Sequence, residues 1–236
     1  MNMSVTSVLF DLDGTLVDPA GAITSGIRHA LVAHGLPDPG EARVEALVGP
    51  PLQVGLRTLD GVTDENIDSI IATYRARYEE VGMDDSLVYP GIVSLLEALR
   101  HENIYVAVTT AKPVNIARLL LERKGLTEHL DAIHGNADEH GSTGSSKTHI
   151  VAEALSHGDL EASSSVVVGD RYYDLDAARE NSVASIGVAW GFAQGDELAS
   201  ADLQVENVSE LAKAILGEHI ARSFEIEASV MQEGAK

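Results

Sequence analysis

Cysteine is absent from the 236 residues. That excludes disulfides, thiolate nucleophiles and thiolate metal sites, and leaves oxygen ligands or histidine for any metal. Positive charge is scarce: 16 Lys and Arg stand against 37 Asp and Glu, a formal net charge of −21. So acidic a surface repels nucleic acid polymers and anionic membranes, so neither is an expected partner, whereas a small phosphorylated metabolite stays compatible if cations are concentrated locally. No stretch approaches the roughly 18 apolar residues of a membrane span, and no basic region precedes the short N-terminal apolar run. The expected compartment is the cytoplasm. The lone Trp190 reads as packing rather than as a base-stacking platform, and the nine histidines show no ligand spacing.

What is present begins with SVLFDLDGTLVD, residues 7–18. Val8, Leu9 and Phe10, with Val5, form a short apolar run of strand formers that stops where the acids begin. Alternation along an extended chain projects Asp11 and Asp13 to one side while Leu12 turns back to the core. Asp-x-Asp-Gly is also ordinary turn chemistry. If both carboxylates instead face a poorly hydrated cleft, they imply a metal between them, a shared proton, or both.

Residues 19–84 carry helical periodicity and no strand. The clearest piece places Ile67, Ile70, Ile71, Tyr74, Tyr78 and Val81 at three- and four-residue steps, with Thr63 or Asp64 to cap the start and Gly82 to end it. This stripe reads as packing. Beyond it, apolar strands alternate with amphipathic helices. A helix from Pro90 to Leu99 precedes a strand over 104–110, a helix opened by Pro113, a short strand in LDAIHG, a helix in KTHIVAEAL and a strand in SSVVVGD. A helix in YYDLDAAREN, a strand in ASIGVAW and an edge strand in ADLQVEN follow. Repeated strand–helix alternation specifies an α/β fold: a doubly wound, largely parallel, Rossmann-like sheet with functional residues at the carboxyl ends of its strands. Residues 217–236 are a tail of weak helical character.

Polar residues able to handle one phosphate collect at those ends: Asp11 and Asp13, Thr109 and Thr110, then Asp170 and Asp174, with Lys147 opening the helix before the GD strand. Each has an ordinary reading alone, as a cap, a turn or a surface lysine. Their convergence on one rim is the functional signal.

The set DLDGTLVD, Thr110 in VTTAKP, Lys147 in SSKTHIVAEAL and GDRYYD resembles the four motifs of the haloacid dehalogenase superfamily. VGPPL, YRARY and YPG are similar to its phosphoglycolate phosphatase and 5′-nucleotidase-like branch. The resemblance implies a core of residues 1–18 and 87–216 and a helical cap of residues 19–86 inserted after the first strand. It also implies a Mg2+-dependent phosphatase acting through an aspartyl phosphate, on phosphoglycolate or a nucleoside monophosphate. Asp11 is then the nucleophile, Asp13 the general acid and base, initially protonated, and Thr110 and Lys147 hold the phosphoryl group. Asp11, the main-chain carbonyl of Asp13 and Asp170 hold the metal, with Asp174 orienting that shell. Ala111 stands where many relatives have a small polar residue.

Gly49 and Arg75 of the cap are the candidate substrate-binding residues, with Arg57 and Arg77 as further cations. Hinges are expected near Asp18–Ala20 and Ser86–Tyr89, and the expected assembly is a monomer or homodimer. Asp13 argues against a dehalogenase, which needs no acid for a leaving halide. The lack of lysine in 19–84 argues against an imine-forming phosphonate hydrolase. A sugar phosphate mutase and a non-catalytic binding relative are the alternatives.

Overall fold

The computed structural model describes residues 5–19, 21–48, 52–136, 147–217 and 219–220. β1 (Ser7–Phe10) is buried along its whole length. It is followed by β2 (Val17–Asp18), α1 (Ala22–Ala33), α2 (Glu41–Glu45), α3 (Leu52–Leu56) and α4 (Ile67–Arg77). A π turn (Tyr78–Gly82), α5 (Met83–Asp85) and β3 (Leu87–Val88) come next. Then come α6 (Ile92–His101), β4 (Tyr105–Pro113), α7 (Val114–Arg123), β5 (Ala132–Asn136), α8 (Lys147–His157) and β6 (Ser165–Gly169). The last elements are α9 (Tyr172–Glu180), β7 (Ala184–Val188), β8 (Leu203–Val205) and α10 (Val208–Leu216).

Six strands form one parallel sheet in the order β5-β4-β1-β6-β7-β8. Its central strands are continuous apolar runs because both faces are covered. The pleat sorts them: Val8, Phe10, Val106, Val108, Val166 and Val168 share a core with α6, α7 and α10. Leu9, Ala107 and Val167 pack on the other face, against Val151 and Ala154 of α8 and Ala177 and Ala178 of α9. The fold is thus α/β with helices on both faces. Helices α1–α5 lie between β2 and β3, which pair antiparallel with Val17 opposite Val88 and Asp18 opposite Leu87. No helix among the described residues is long and apolar enough to cross a membrane.

Three local expectations are corrected. Gly82 does not end the periodic helix; the chain passes through the π turn and continues to Asp85. Gly82 has an ordinary helical φ of −61°, and its small size is what counts. A Cβ there would sit 2.8 Å from Tyr78 Cδ2 and 3.3 Å from the Ala22 Cβ. The helix start is marked by Asn66 rather than Thr63 or Asp64, and the Asn66 carboxamide oxygen accepts from the Thr63 N–H at 2.8 Å. The helix expected from Pro90 starts at Ile92, because Gly91 at φ +88° occupies a left-handed conformation that interrupts any earlier turn. The tail lies outside the described residues except for 217 and 219–220, as does Ala20 of the expected first hinge.

Candidate active site

β1, β4 and β6 are neighbours in register, Phe10 lying beside Val108 and Val168. Their carboxyl ends therefore meet. Asp11 follows β1, and its N–H donates to the Val168 carbonyl at 2.8 Å. Asp170 follows β6, and Asp174 lies one turn into α9. Lys147, first residue of α8, donates to Asp11 Oδ1 at 2.5 Å and makes an ion contact of 2.8 Å with Asp174 Oδ1.

β4 runs beyond the expected strand, with a register shift between Thr109 and Pro113. Such irregularities re-aim side chains. Thr110 lines the cavity beside Asp11 and Asp13, its hydroxyl accepting from the Lys112 N–H at 3.2 Å. Thr109 is fully buried with no partner for its hydroxyl, which separates the two threonines in favour of Thr110. The Ala111 carbonyl accepts from the Asn136 carboxamide, so this position contributes its backbone rather than a side chain.

The bulge also delivers Lys112, which sequence reasoning missed. Its Nζ lies 2.9 Å from Asp13 Oδ2 and donates to Tyr78 Oη at 2.9 Å. Burial pulls its pKa down, yet the facing Asp13 and the two tyrosines leave it raised overall. Each acid of the Asp11/Asp13 pair thus has its own ammonium group. Lys112 offsets the charge of Asp13 as Lys147 offsets that of Asp11. Tyr74 and Tyr78, read as pure packing, stack with ring centroids 5.8 Å apart and line the same cavity. The only sequence signal for Lys112 is its place two residues after Thr110, before the Pro113 that precedes a helix.

Asp11, Asp170 and Asp174 bring carboxylate oxygens within 4.8 Å of one another, all three residues buried. Asp170 Oδ2 accepts from the Phe192 N–H at 2.6 Å and Oδ1 from the Thr15 hydroxyl at 3.5 Å. Asp174 Oδ2 accepts from the Arg171 N–H at 3.2 Å. The cluster sits against backbone: a Cβ on Gly14 or Gly191 would collide with the Asp170 side chain, and one on Gly169 with Asp174. Gly14 also needs its φ of +87°. Burial, then the charges of Asp11 and Asp174, pushes Asp170 well above the ordinary carboxylate range. Burial likewise pushes Asp174 up to about 6 despite Lys147. Three buried hard oxygen donors facing one lysine leave an uncompensated negative charge, and that donor set fits a hard dication such as Mg2+.

A cavity opens over Asp11 and Asp13. Helical-insert residues Ile23, Leu47, Val48, Leu52 and Arg75 line its far wall. Of the expected cap cations, Arg75 reaches the cavity. Arg57, in the turn after α3, instead pairs with Asp64 at 2.9 Å on the exterior, and Arg77 sits on the exposed side of α4. Gly49 lies outside the described residues. Arg171, also missed, is buried; it donates to the Val48 carbonyl at 2.5 Å and pairs with Glu197 at 2.7 Å, tying the GDRYYD loop to the insert. Trp190 packs edge-on to Tyr89 and donates to the Thr15 carbonyl at 3.2 Å.

The family model described as haloacid dehalogenase-like hydrolase matches residues 8–188. A 5′-nucleotidase of Pseudomonas aeruginosa is 37% identical over 194 residues, covering 81% of this chain and 86% of that protein. The tyrosine-protein kinase PtkA of Mycobacterium tuberculosis is 37% identical over 189 residues, 80% of this chain and 64% of PtkA. Among solved structures, one described as a predicted phosphatase from Clostridium acetobutylicum superposes with a TM-score of 0.83 at 32% identity, covering 91% of this chain and all of that one (100%).

Proposed function

The chain belongs to the haloacid dehalogenase-like hydrolases and is a phosphoric monoester hydrolase, and from that premise we propose that it hydrolyses a nucleoside monophosphate or similar small ester through Asp11. The observation carrying this reading is the pairing of Asp11 with Lys147 and of Asp13 with Lys112, both acids lining one cavity. An Asp11 oxygen attacks phosphorus in line as the ester P–O bond breaks, leaving an aspartyl phosphate. Asp13 gives a proton to the departing oxygen, then takes one from the water that attacks phosphorus and releases Asp11. Lys147 and Thr110 hold phosphoryl oxygens as charge redistributes between them.

Asp11, Asp170 and the Asp13 main-chain carbonyl would hold Mg2+. Asp174, whose oxygens already face Lys147 and the Arg171 N–H, orients rather than ligates. When bound, Mg2+ supplies positive charge that offsets repulsion between Asp11 and an incoming phosphate dianion. The helical insert acts as a cap that sets substrate choice and moves on β2 and β3. The apolar far wall of the cavity favours a nucleoside over the two-carbon acid of phosphoglycolate.

Phosphate release measured over nucleoside monophosphates, phosphoglycolate, hexose 1-phosphates and pyrophosphate tests this. Nucleoside monophosphates are expected to lead, with free phosphate and nucleoside in equal yield; isomerised sugar phosphate would instead identify a mutase. Asp11→Asn is expected to lower kcat by about 1,000-fold or more without unfolding. Full activity after exhaustive chelation would overturn the metal assignment.

A further inference from the structure

Away from the cavity, α8 and the edge strand β5 bring together three residues with no part in the reaction. His134 of β5 is buried, and Glu153 and His157 stand one helical turn apart on α8. Glu153 Oε1 lies 3.9 Å from His134 Nδ1 and 3.7 Å from His157 Nδ1. Both separations are too long for hydrogen bonds. They are close to the spacing of about 3.3–3.6 Å that donors adopt around one tetrahedral ion at ~2.0–2.2 Å. The ligand atoms of all three lie within 4.8 Å of one another, and the two imidazole rings are 5.5 Å apart at the centroids.

His134 fixes one side of the group: it is 7% exposed in the sheet–helix seam, and its Nδ1 faces Glu153 Oε1 at 3.9 Å, beyond hydrogen-bond reach. Burial also holds its pKa below the usual value, leaving the neutral ring that a metal requires. The side chains of Glu153 and His157 are 39% and 64% exposed, so an ion can enter from solvent and keep a water as its fourth ligand.

We propose that His134, Glu153 and His157 form a second metal site, for a transition-metal dication of the Zn2+ class. Two imidazole nitrogens and one carboxylate select Zn2+ or Co2+ over Mg2+, which prefers all-oxygen surroundings. The site is separate from the acid cluster: Glu153 and His157 are about 9 and 15 Å along the helix axis from Lys147. A bound ion would clamp α8, whose first residue faces Asp11, to the sheet edge. The histidines carry no ligand spacing in sequence because His134 meets the other two only across a strand-to-helix connection.

The test is a Co2+ titration of the full chain in excess Mg2+, followed by visible absorption. One equivalent of Co2+ is expected to bind with bands characteristic of mixed nitrogen and oxygen ligands, and Zn2+ is expected to displace it. Affinity should fall at least ~10-fold in His157→Ala and Glu153→Gln and stay unchanged in Asp170→Asn. Zn2+ should raise the Tm of the wild type but not that of His157→Ala, whose Tm and phosphatase activity match the wild type without Zn2+. Co2+ binding that survives in His157→Ala, or no saturable binding up to about 1 mM, overturns the proposal.

Discussion

Asp11 and Asp13 are two positions apart, and the chain keeps them together by giving each a different lysine, one from the end of β4 and one from the start of α8. Lys112 touches Asp13 across 99 positions, and Lys147 touches Asp11 across 136. Lys112→Met is therefore expected to lower kcat by about 100-fold, within the range of a disabled acid–base step, whereas Tyr78→Phe removes one hydrogen bond and costs only about three- to tenfold. Steady-state kinetics on both variants checks the difference. Asp170 makes the opposite prediction for stability. Buried with two other carboxylates, it disfavours the metal-free fold, so Asp170→Asn should raise metal-free stability by about 1–3 kcal/mol while abolishing turnover. The sign with pH follows from Asp174, raised from 3.8 to about 6. Across that window the folded chain holds a proton that the unfolded chain has released, so metal-free stability falls as pH rises from 4 to 6. Denaturant melts of metal-free protein at several pH values measure this. The carboxylates and Lys147 were legible in sequence because their motifs are local; Lys112 and Arg171 were not, because their roles exist only through partners far along the chain.

At the level of elements, strands were legible for a simple reason: buried parallel strands read as unbroken apolar runs, and VLF, VAV and VVV leave little alternative. Helix ends were less so. Gly82 was read as a stop because glycine so often ends helices, whereas here it lets the π turn carry Tyr78 past Ala22. That close approach is testable. Gly82→Ala should cost about 1–3 kcal/mol through overpacking against Tyr78, and should raise KM by displacing the ring that holds Lys112. Thermal melts and kinetics together separate the two effects. The extension of β4 beyond Thr110 was equally hidden, since AKP gives no strand signal, yet it brings Lys112 to the acids.

The whole molecule carries a formal charge of −21, and its substrate is an anion. Long-range repulsion should slow encounter, so kcat/KM is expected to rise about two- to threefold as added salt takes the Debye length from ~30 Å to ~8 Å, with kcat nearly constant. A salt series at fixed Mg2+ decides it, and a falling kcat/KM would mean that Lys112 and Arg75 dominate the approach. The paired β2 and β3 have a different consequence. With Val17 opposite Val88, the polypeptide leaves the sheet and returns to it through a single doorway. A replacement piece that offers Leu12 and Leu16 an apolar neighbour can be exchanged there while Asp11 stays where the ladder fixes it. On the proposed reading, choice of substrate is thereby uncoupled from bond-breaking, and one contiguous stretch of gene is enough to re-address the same chemistry.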